Sequence, residues 1–434
     1  MSENWITTNL GEYISFKNGK SSPSRDMGDD IPVYGSNGII GFSSENNADE
    51  NSLIVGRVGS YCGSVYHSKI KCWVTDNAII GIPKLKGESE FWYFLLTKLQ
   101  LNSYRSGSGQ PLLNQSTLNS ISISIPEHHS VRRMIGKQLF SFENKIHLNN
   151  QINQTLETIA QAIFKSWFID FEPVRAKIAA KLEGADPEIA AMCVISGKSE
   201  AELEQMVEED FAELRATAAL FPDELVENEL GEVPKGWEYK KLKDLCRVIN
   251  GRAYKNTEFK EEGIPIVRIQ NLTGGGKTVF SDLDLPQDKL IEKEDFIYAW
   301  SATFGPYIWR GPKSIYHYHI WKMDVDETII SRYFLYLTMF RKTESMKSAG
   351  TGSIFTHLTK VIMESQDVLI ADNAINMLFK DRIDKIFKLI SLKSDEIKNL
   401  ENIRDTLLPK LLSGEVDVTT LADTKNSSDK EQIA

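Results

Sequence analysis

Two stretches of the chain repeat apolar residues every three or four positions for nearly forty residues. The first runs from about Ser130 to Phe168 and carries Leu139, Phe142, Ile146, Ile152, Leu156, Ile159, Ile163, Phe164 and Trp167. The second runs from about Ala374 to Leu412 with Ile386, Leu389, Ile390, Ile397, Leu400, Ile403, Leu407, Leu408 and Leu411. That period puts the apolar set on one stripe of an α-helix. At 1.5 Å per residue each helix would be about 58 Å long, more than a globular helix usually reaches, so a coiled coil is expected. Leu156-Glu-Thr-Ile matches Leu400-Glu-Asn-Ile 244 residues later. Matching stripes with no other partner in the chain can bury each other. The expected packing set is Ile152, Leu156, Ile159, Ile163 and Trp167 against Ile397, Leu400, Ile403, Leu407 and Leu411.

Before each helix the pattern is short, β-like and punctuated by glycine. The first copy opens at Trp5 and reaches Asn18-Gly19; the second opens at Trp237 and reaches Asn250-Gly251, 232 residues later in both pairs. Ile31-Pro-Val-Tyr is answered by Ile264-Pro-Ile-Val, and Asn51-Ser-Leu-Ile-Val-Gly by Asp295-Phe-Ile-Tyr-Ala-Trp. The apolar helix candidate from Trp92 to Leu99 is answered by Tyr333 to Phe340, and Gly107-Ser-Gly109 by Gly350-Thr-Gly352 at an offset of 243. Leu118 to Ile125 alternates Ser and Ile and reads as a half-buried strand. The offsets drift because loops change length more cheaply than cores. The chain therefore divides into a first module over 1–130, a long helix over 131–169, a connector over 170–236, a second module over 237–371, a second long helix over 372–414 and a polar tail over 415–434. Within the connector, Ile178 to Leu182, Glu200 to Leu220 and Glu224 to Leu230 look helical, cut apart by Pro173, Pro187, Pro222 and Pro234.

Length fits two or three domains, and 41% hydrophobic with 25% charged residues is ordinary for a globular protein. Every apolar run is broken by charge before 18 residues, so no membrane span or membrane partner is expected. Met-Ser-Glu-Asn-Trp has neither a basic nor an apolar signal region. Cys62, Cys72, Cys193 and Cys246 lack disulfide-framework or zinc spacing, which leads to a cytoplasmic expectation. The net charge of −10 is unevenly spread. Residues 1–150 carry 14 Lys/Arg against 13 Asp/Glu, residues 151–236 carry 7 against 18, and residues 237–434 carry 29 of each. The acidity thus sits in the connector, which should lie away from phosphate or face a basic protein, while the modules remain free to hold a basic face.

No catalytic pattern stands out. Gly274-Gly-Gly-Lys-Thr278 resembles the end of a phosphate loop, but Asn271 stands where a glycine is needed and Val279-Phe-Ser-Asp does not open a helix, so a turn is expected. His128-His129 and His317/His319 lack metal-spaced partners and read as structural or surface residues. No Gly-x-Ser-x-Gly elbow is present. A duplicated module without chemistry suggests a bipartite reader or a clamp. The polar and aromatic residues of the glycine-rich stretches are the candidate DNA contacts: Lys17, Asn18, Lys20, Tyr34, Asn37, Arg57, Tyr61, Arg105 and Gln110 in the first module, and Arg252, Lys255, Arg268, Gln270, Asn271, Thr303, Arg310, Lys347 and Thr351 in the second. Arg and Lys pair with guanine O6/N7, Asn and Gln with adenine N6/N7, and any of them can hold phosphate. A two-headed protein-interaction scaffold is the rival reading.

Leu156-Glu-Thr-Ile-Ala-Gln-Ala-Ile-Phe-Lys-Ser-Trp-Phe-Ile-Asp-Phe-Glu-Pro-Val174, followed by Pro234-Lys-Gly-Trp237, Gly350-Thr-Gly352 and Leu408-Pro-Lys-Leu-Leu-Ser-Gly-Glu415, resembles the specificity subunit of bacterial type I restriction–modification enzymes over almost the whole chain. The resemblance implies an α+β fold: two similar mixed α/β target-recognition domains separated by a long antiparallel helical coiled coil. It implies a chain with no catalytic centre of its own that reads a bipartite, asymmetric double-stranded DNA target. Two methyltransferase subunits and two restriction subunits would be its partners. S-adenosylmethionine, ATP and Mg2+ would be bound by those partners and none by this chain.

Overall fold

The computed structural model describes residues 4–25, 28–106, 112–348 and 358–418. They divide into two compact units, one formed by residues 1–149 with 396–434, the other by residues 150–395.

In the first unit the chain runs through β1 (Trp5–Asn9), β2 (Ile14–Asn18), β3 (Ile31–Gly35), β4 (Gly38–Ser43), β5 (Ser52–Gly56), β6 (Val65–Ser68), β7 (Trp73–Val74) and β8 (Ala78–Pro83). Then come α1 (Ser89–Lys98), α2 (Gln115–Ser120), β9 (Ser122–Pro126) and the start of α3 (His129–Phe168). Strand order is β2-β8-β5-β6 in one sheet, β4-β3-β7 in a second and β1-β9 in a third. The buried faces of the first sheet (Ile14, Leu53, Val55, Ile79) pack on Phe91, Trp92 and Leu96 of α1 and on Ile135 and Leu139 of α3. Leu411, Leu412 and Val418, from the far end of the sequence, complete that core. The expected strand from Leu118 is instead the end of α2. Asn114 caps that helix by accepting a hydrogen bond from Thr117 N at 2.8 Å, so only Ser122 onward is extended.

The second unit begins with the connector: α4 (Glu172–Glu183), α5 (Pro187–Ser196), α6 (Glu200–Leu203), α7 (Glu208–Leu220), β10 (Leu225–Asn228) and β11 (Gly231–Pro234). Pro187 stands at the break between α4 and α5 and opens α5, because at the first helical turn its missing N–H costs nothing and Asp186 caps Glu188 N. One expectation fails here: the segment from Glu224 to Leu230 is the first strand and turn of a β-hairpin and not a helix. Asn228 Oδ1 accepts from Leu230 N at 2.8 Å, and Gly231 takes φ +114°, a turn that no helix accommodates.

The second module follows with β12 (Glu238–Lys241), β13 (Cys246–Asn250), β14 (Ile264–Val267), α8 (Ile269–Leu272), β15 (Val279–Ser281), β16 (Leu290–Ile291), β17 (Phe296–Ala299), β18 (Gly305–Ile308), β19 (Ser314–Tyr316), β20 (Ile320–Val325), α9 (Arg332–Ser348), α10 (Lys360–Glu364), β21 (Asp367–Ile370) and α11 (Asn373–Leu411). Its sheets β13-β20-β17-β18, β15-β14-β19-β16 and β12-β21 repeat those of the first module, with β16 added. Both modules include one parallel pair, β3 with β7 and β14 with β19.

Within each unit α3 and α11 run antiparallel. In the first, Arg404 pairs with Glu143 at 2.7 Å and Lys145 with Glu396 at 3.5 Å. In the second, Asn153 Nδ2 donates to Ser394 Oγ at 3.3 Å, while Phe164 and Trp167 meet Phe379. The face that α3 buries in the second unit carries Ala160, Phe164, Trp167 and Phe168. It is turned by roughly one residue, about 100°, from the Ile152–Ile159–Ile163 stripe. Ile159 is consequently 43% exposed, Ile152 is half-buried, and Leu156 and Ile163 sit at the edge of the core. On α11, Ile397 and Leu400 are half-buried and Ile403 is 44% exposed, while Leu407 and Leu411 pack on the core of the first module. Of the expected packing set, Trp167 is buried, while Ile159 and Ile403 are exposed; at Ile159 the larger aromatic face of α3 takes the buried position.

Candidate nucleic-acid interface

At one end of each module's main sheet the backbone makes the same tight cradle twice. Past the end of β2, Gly19 N donates to Ala78 O and Lys20 N to Val74 O, both at 3.0 Å. Thr75 N donates to Tyr34 O at 2.9 Å, Ala78 N to Thr75 O at 3.0 Å and Arg57 N to Asn77 O at 2.9 Å. Past the end of β13, Gly251 N donates to Ile320 O and Arg252 N to Tyr316 O, both at 3.2 Å. His317 N donates to Val267 O and Ile320 N to His317 O, both at 2.9 Å, and Trp300 N to His319 O at 3.1 Å. The glycines are required by closeness. A Cβ on Gly19 would run into the carbonyl oxygens of Thr75 and Val74, and one on Gly251 into those of His317 and Tyr316.

In the first module the cradle gathers five candidates, Asn18, Lys20, Asn37, Arg57 and Tyr61. Asn37 belongs to the turn between β3 and β4, whose Ser36 Oγ donates to Asn77 O at 2.5 Å. Arg57 and Tyr61 lie in the loop after β5, and Arg57 Nη1 donates to Asp76 O at 3.3 Å. Arg105 is drawn alongside because Ser106 pairs with Leu112, which bridges to Val58. Lys17 is exposed one ladder position back, opposite Ile80. Lys20, Asn37, Tyr61 and Arg105 are exposed.

In the second module Asn250, Arg252 and Arg268 border the equivalent place, joined by an aromatic row, while Thr303 lies in the β17–β18 turn beside Tyr307. Tyr254 stacks on His317 with centroids 6.4 Å apart, His317 meets His319 at 5.0 Å, and Trp300 meets His319 at 5.3 Å. Arg252 lies over the Tyr254 ring at 4.9 Å and pairs with Glu258 at 2.6 Å; that hydrogen bond holds the Glu258 carboxyl below its usual range. Arg268 Nη2 donates to Lys277 O at 2.5 Å. Burial lowers the pKa of both His317 and His319. For His317 the neighbouring His319 and Arg268 add to this, so neutral rings are favoured. Lys255 is exposed in the loop after Arg252.

Several candidates belong elsewhere. Tyr34 is 8% exposed and packs beneath the cradle against Tyr66. Arg310 follows the far end of the β17–β18 hairpin, where Phe296 pairs with Ile308, and is paired with Glu294 at 3.5 Å. Asn271 is spent locally, its Oδ1 accepting from Arg268 N at 3.0 Å, whereas Gln270, in the same loop, keeps an exposed side chain. Gln110, Thr351, the Gly107–Gly109 and Gly350–Gly352 turns and the side chain of Lys347 lie outside the described residues. The Gly274–Thr278 segment leads into β15 rather than a helix, as a turn does.

Missed by sequence reasoning were the turns 75–77 and 317–319. Asp76, Asn77 and Tyr318 are exposed at the centre of their cradles. The available signal was the equivalence of Thr75-Asp-Asn77 and His317-Tyr-His319 at an offset of 242, within the drift of the other repeats. Among the described residues no three His, Cys, Asp or Glu are placed to hold a metal ion, and no helix is long and apolar enough to cross a membrane.

The model of the type I restriction modification DNA specificity domain matches residues 2–158 and again 234–402, one match for each copy of the architecture. The chain is 32% identical over 376 residues to the type I restriction enzyme HindI specificity subunit of Haemophilus influenzae, covering 79% of each. It is 26% identical over 358 residues to the MjaIX specificity subunit of Methanocaldococcus jannaschii, covering 78% of this chain and 72% of that one. The crystal structure of the type I restriction–modification S subunit from M. genitalium shares the fold with a TM-score of 0.59 at 15% identity, over 94% of this chain and 96% of that one. The duplicated cradle and these matches agree: the chain belongs to the specificity-subunit family of type I restriction–modification systems.

Proposed function

We propose that this chain reads a two-part, asymmetric DNA target, each module reading one half, and positions two methyltransferase subunits and, in the full complex, two restriction subunits around it. The observation that supports this reading is the repeated cradle. Two backbones of the same geometry carry different side chains, which is what unlike half-sites require and what a palindrome reader would not need. Lysines and arginines beside each cradle suit phosphate contacts that fix register. The acidic connector suits a basic protein surface better than DNA. S-adenosylmethionine, ATP and Mg2+ belong, on this reading, to the partner subunits.

The long helices would set the spacing between half-sites. One extra turn in each adds about 6 Å at 1.5 Å per residue, close to two base pairs of DNA at 3.4 Å each. Genome-wide mapping of methylated adenine with and without the chain tests the reading. Loss of the chain should abolish methylation at one interrupted sequence, and insertion of about four residues into both helices should lengthen its interruption. Replacing residues 1–130 with another specificity subunit's module should change one half-site only. Methylation that persists without the chain defeats the proposal, and unchanged spacing defeats the ruler.

A further inference from the structure

Each cradle displays a three-residue turn, and the two turns are backbone equivalents with no side chain in common. In both, the first residue is tucked in: Thr75 is 1% exposed and His317 is half-buried against Tyr254. In both, the residue after it points out: Asp76 is exposed and Tyr318 is 40% exposed. The third residue has its carbonyl held from the neighbouring loop, by Arg57 N in one module and Trp300 N in the other. The turns are further braced from the side, by Ser36 Oγ on Asn77 O at 2.5 Å and by Trp300 Nε1 on Tyr318 O at 2.8 Å. Their backbone groups are therefore engaged by the frame, which fixes where the side chains of Asp76, Asn77, Tyr318 and His319 leave the chain; the rings of Tyr318 and His319 are packed further against Trp300.

We infer that turns 75–77 and 317–319 are base-reading positions, Asp76 and Asn77 selecting one half-site and Tyr318 and His319 the other. This rests on the DNA-recognition reading above. The chemistry differs between them. An ionised carboxylate only accepts hydrogen bonds, so Asp76 demands an exocyclic amine, cytosine N4 or adenine N6, on the strand it faces. Asn77 can span adenine N6 and N7. Tyr318 and His319 carry an O–H and an N–H donor and apolar ring edges. They fit guanine N7/O6, thymine O4 and the thymine methyl group. The cations around each turn then serve register: Lys20, Arg57 and Arg105 in one module, Arg252 and Arg268 in the other.

The test uses the complete chain assembled with its methyltransferase subunits, with methylated sites sequenced for each variant. Asp76→Asn adds a donor, so guanine or thymine should be admitted at one position of the first module's half-site on the order of tenfold more often, the discrimination one good base contact provides. Asp76→Ala should lower methylation of cognate sites without admitting a defined new base. Tyr318→Ala should relax one position of the other half-site. In all three the unaltered module's half-site and the spacing stay fixed. Asp76→Asn and Tyr318→Ala variants that methylate the unchanged set of sites, merely less completely, overturn the inference. If the unaltered complex methylates no interrupted site at all, the parent reading has failed instead.

Discussion

Removing the carboxylate of Glu88 should destabilise the first unit by about 3–5 kcal/mol, the usual cost of orphaning a buried charge. Glu88 and Arg132 have side chains 1% and 2% exposed, and their ion pair is 2.8 Å long. Glu88 Oε1 accepts from Arg132 Nε at 3.1 Å and Nη2 at 2.8 Å, and Oε2 accepts from Trp92 Nε1 at 3.0 Å. Arg132 Nη1 donates to the carbonyls of Pro126 and Glu127 at 2.6 and 2.9 Å, which fastens the end of β9 to the first turn of α3. Glu88→Ala leaves three donors without an acceptor, two of them on a buried cation. Arg132→Met orphans the carboxylate instead and should cost a similar amount. The double variant removes both charges and leaves only neutral groups unpaired, so it should cost only about 1–3 kcal/mol, giving a coupling of several kcal/mol. The assay is urea unfolding of the full chain, followed by tryptophan fluorescence, for all four members of the cycle. Thermal scans should move by about 2–4 °C per kcal/mol for a unit of this size. Additive single variants, or single losses below about 1 kcal/mol, would refute the claim that this pair holds the module to its helix.

Three further outcomes are expected. His67 has both ring nitrogens buried without a partner, and burial, with Lys69 nearby, pushes its pKa down to about 4. The unfolded chain binds this proton below about pH 6.5 and the folded chain only near pH 4, so stability falls as pH drops through that window, by at most about 3 kcal/mol; urea midpoints at pH 4.5 and 7 should converge in His67→Phe, and an unchanged gap would exclude His67 as its source. Gly19→Ala and Gly251→Ala should each cost at least about 1–3 kcal/mol, since the added Cβ meets backbone carbonyls that cannot turn aside; melting temperatures equal to the wild type would show the bend to be soft. Phe164→Ala should cost about 3–5 kcal/mol, while Ile159→Gln and Ile403→Gln stay within about 0.5 kcal/mol, and the reverse order in denaturant titrations would restore the spacing-derived stripe.

The repeat was legible because a forced glycine leaves a mark. Asn18-Gly19 and Asn250-Gly251 stand at a fixed offset because no other residue passes so close to a carbonyl. The long helices were legible because length and period coincide. What spacing does not reveal is which of two neighbours covers a helix. Ile159 shares its stripe with Phe164 and Trp167, yet only the two aromatics, with Phe168, are buried, since they offer more area. Proline was only half legible: Pro187 marks the break between two helices, but that it also opens the second depends on the cap at Asp186. Tyr34 looked like a loop aromatic because it precedes a glycine turn, but it ends a strand that is buried on both faces. The turns 75–77 and 317–319 escaped notice because His317 and His319 alternate like a strand. Their equivalence to Thr75 and Asn77 shares no side-chain chemistry at all.

The fastenings of the modules diverge as freely as the reading turns do. In the first unit Arg132, on α3, is gripped by a buried glutamate. In the second, Glu327 before α9 takes Arg332 at 2.6 Å and Lys380, on α11, at 3.2 Å, while Arg332 Nη1 reaches Glu294 O at 2.8 Å. These side chains are about a third exposed. Solvent screens them, and breaking one pair should cost nearer 1 kcal/mol than the several expected at Arg132. Two unrelated ion-pair arrangements thus solve one problem, the seating of a module on its helix. Residue identity is therefore free wherever geometry can be met in more than one way, at the fastening and at the tip alike. It is not free at Gly19 and Gly251, where the geometry has one solution. A frame fixed by such bends lets either turn change without disturbing the other, and that independence is what the proposed reading of two unlike half-sites requires.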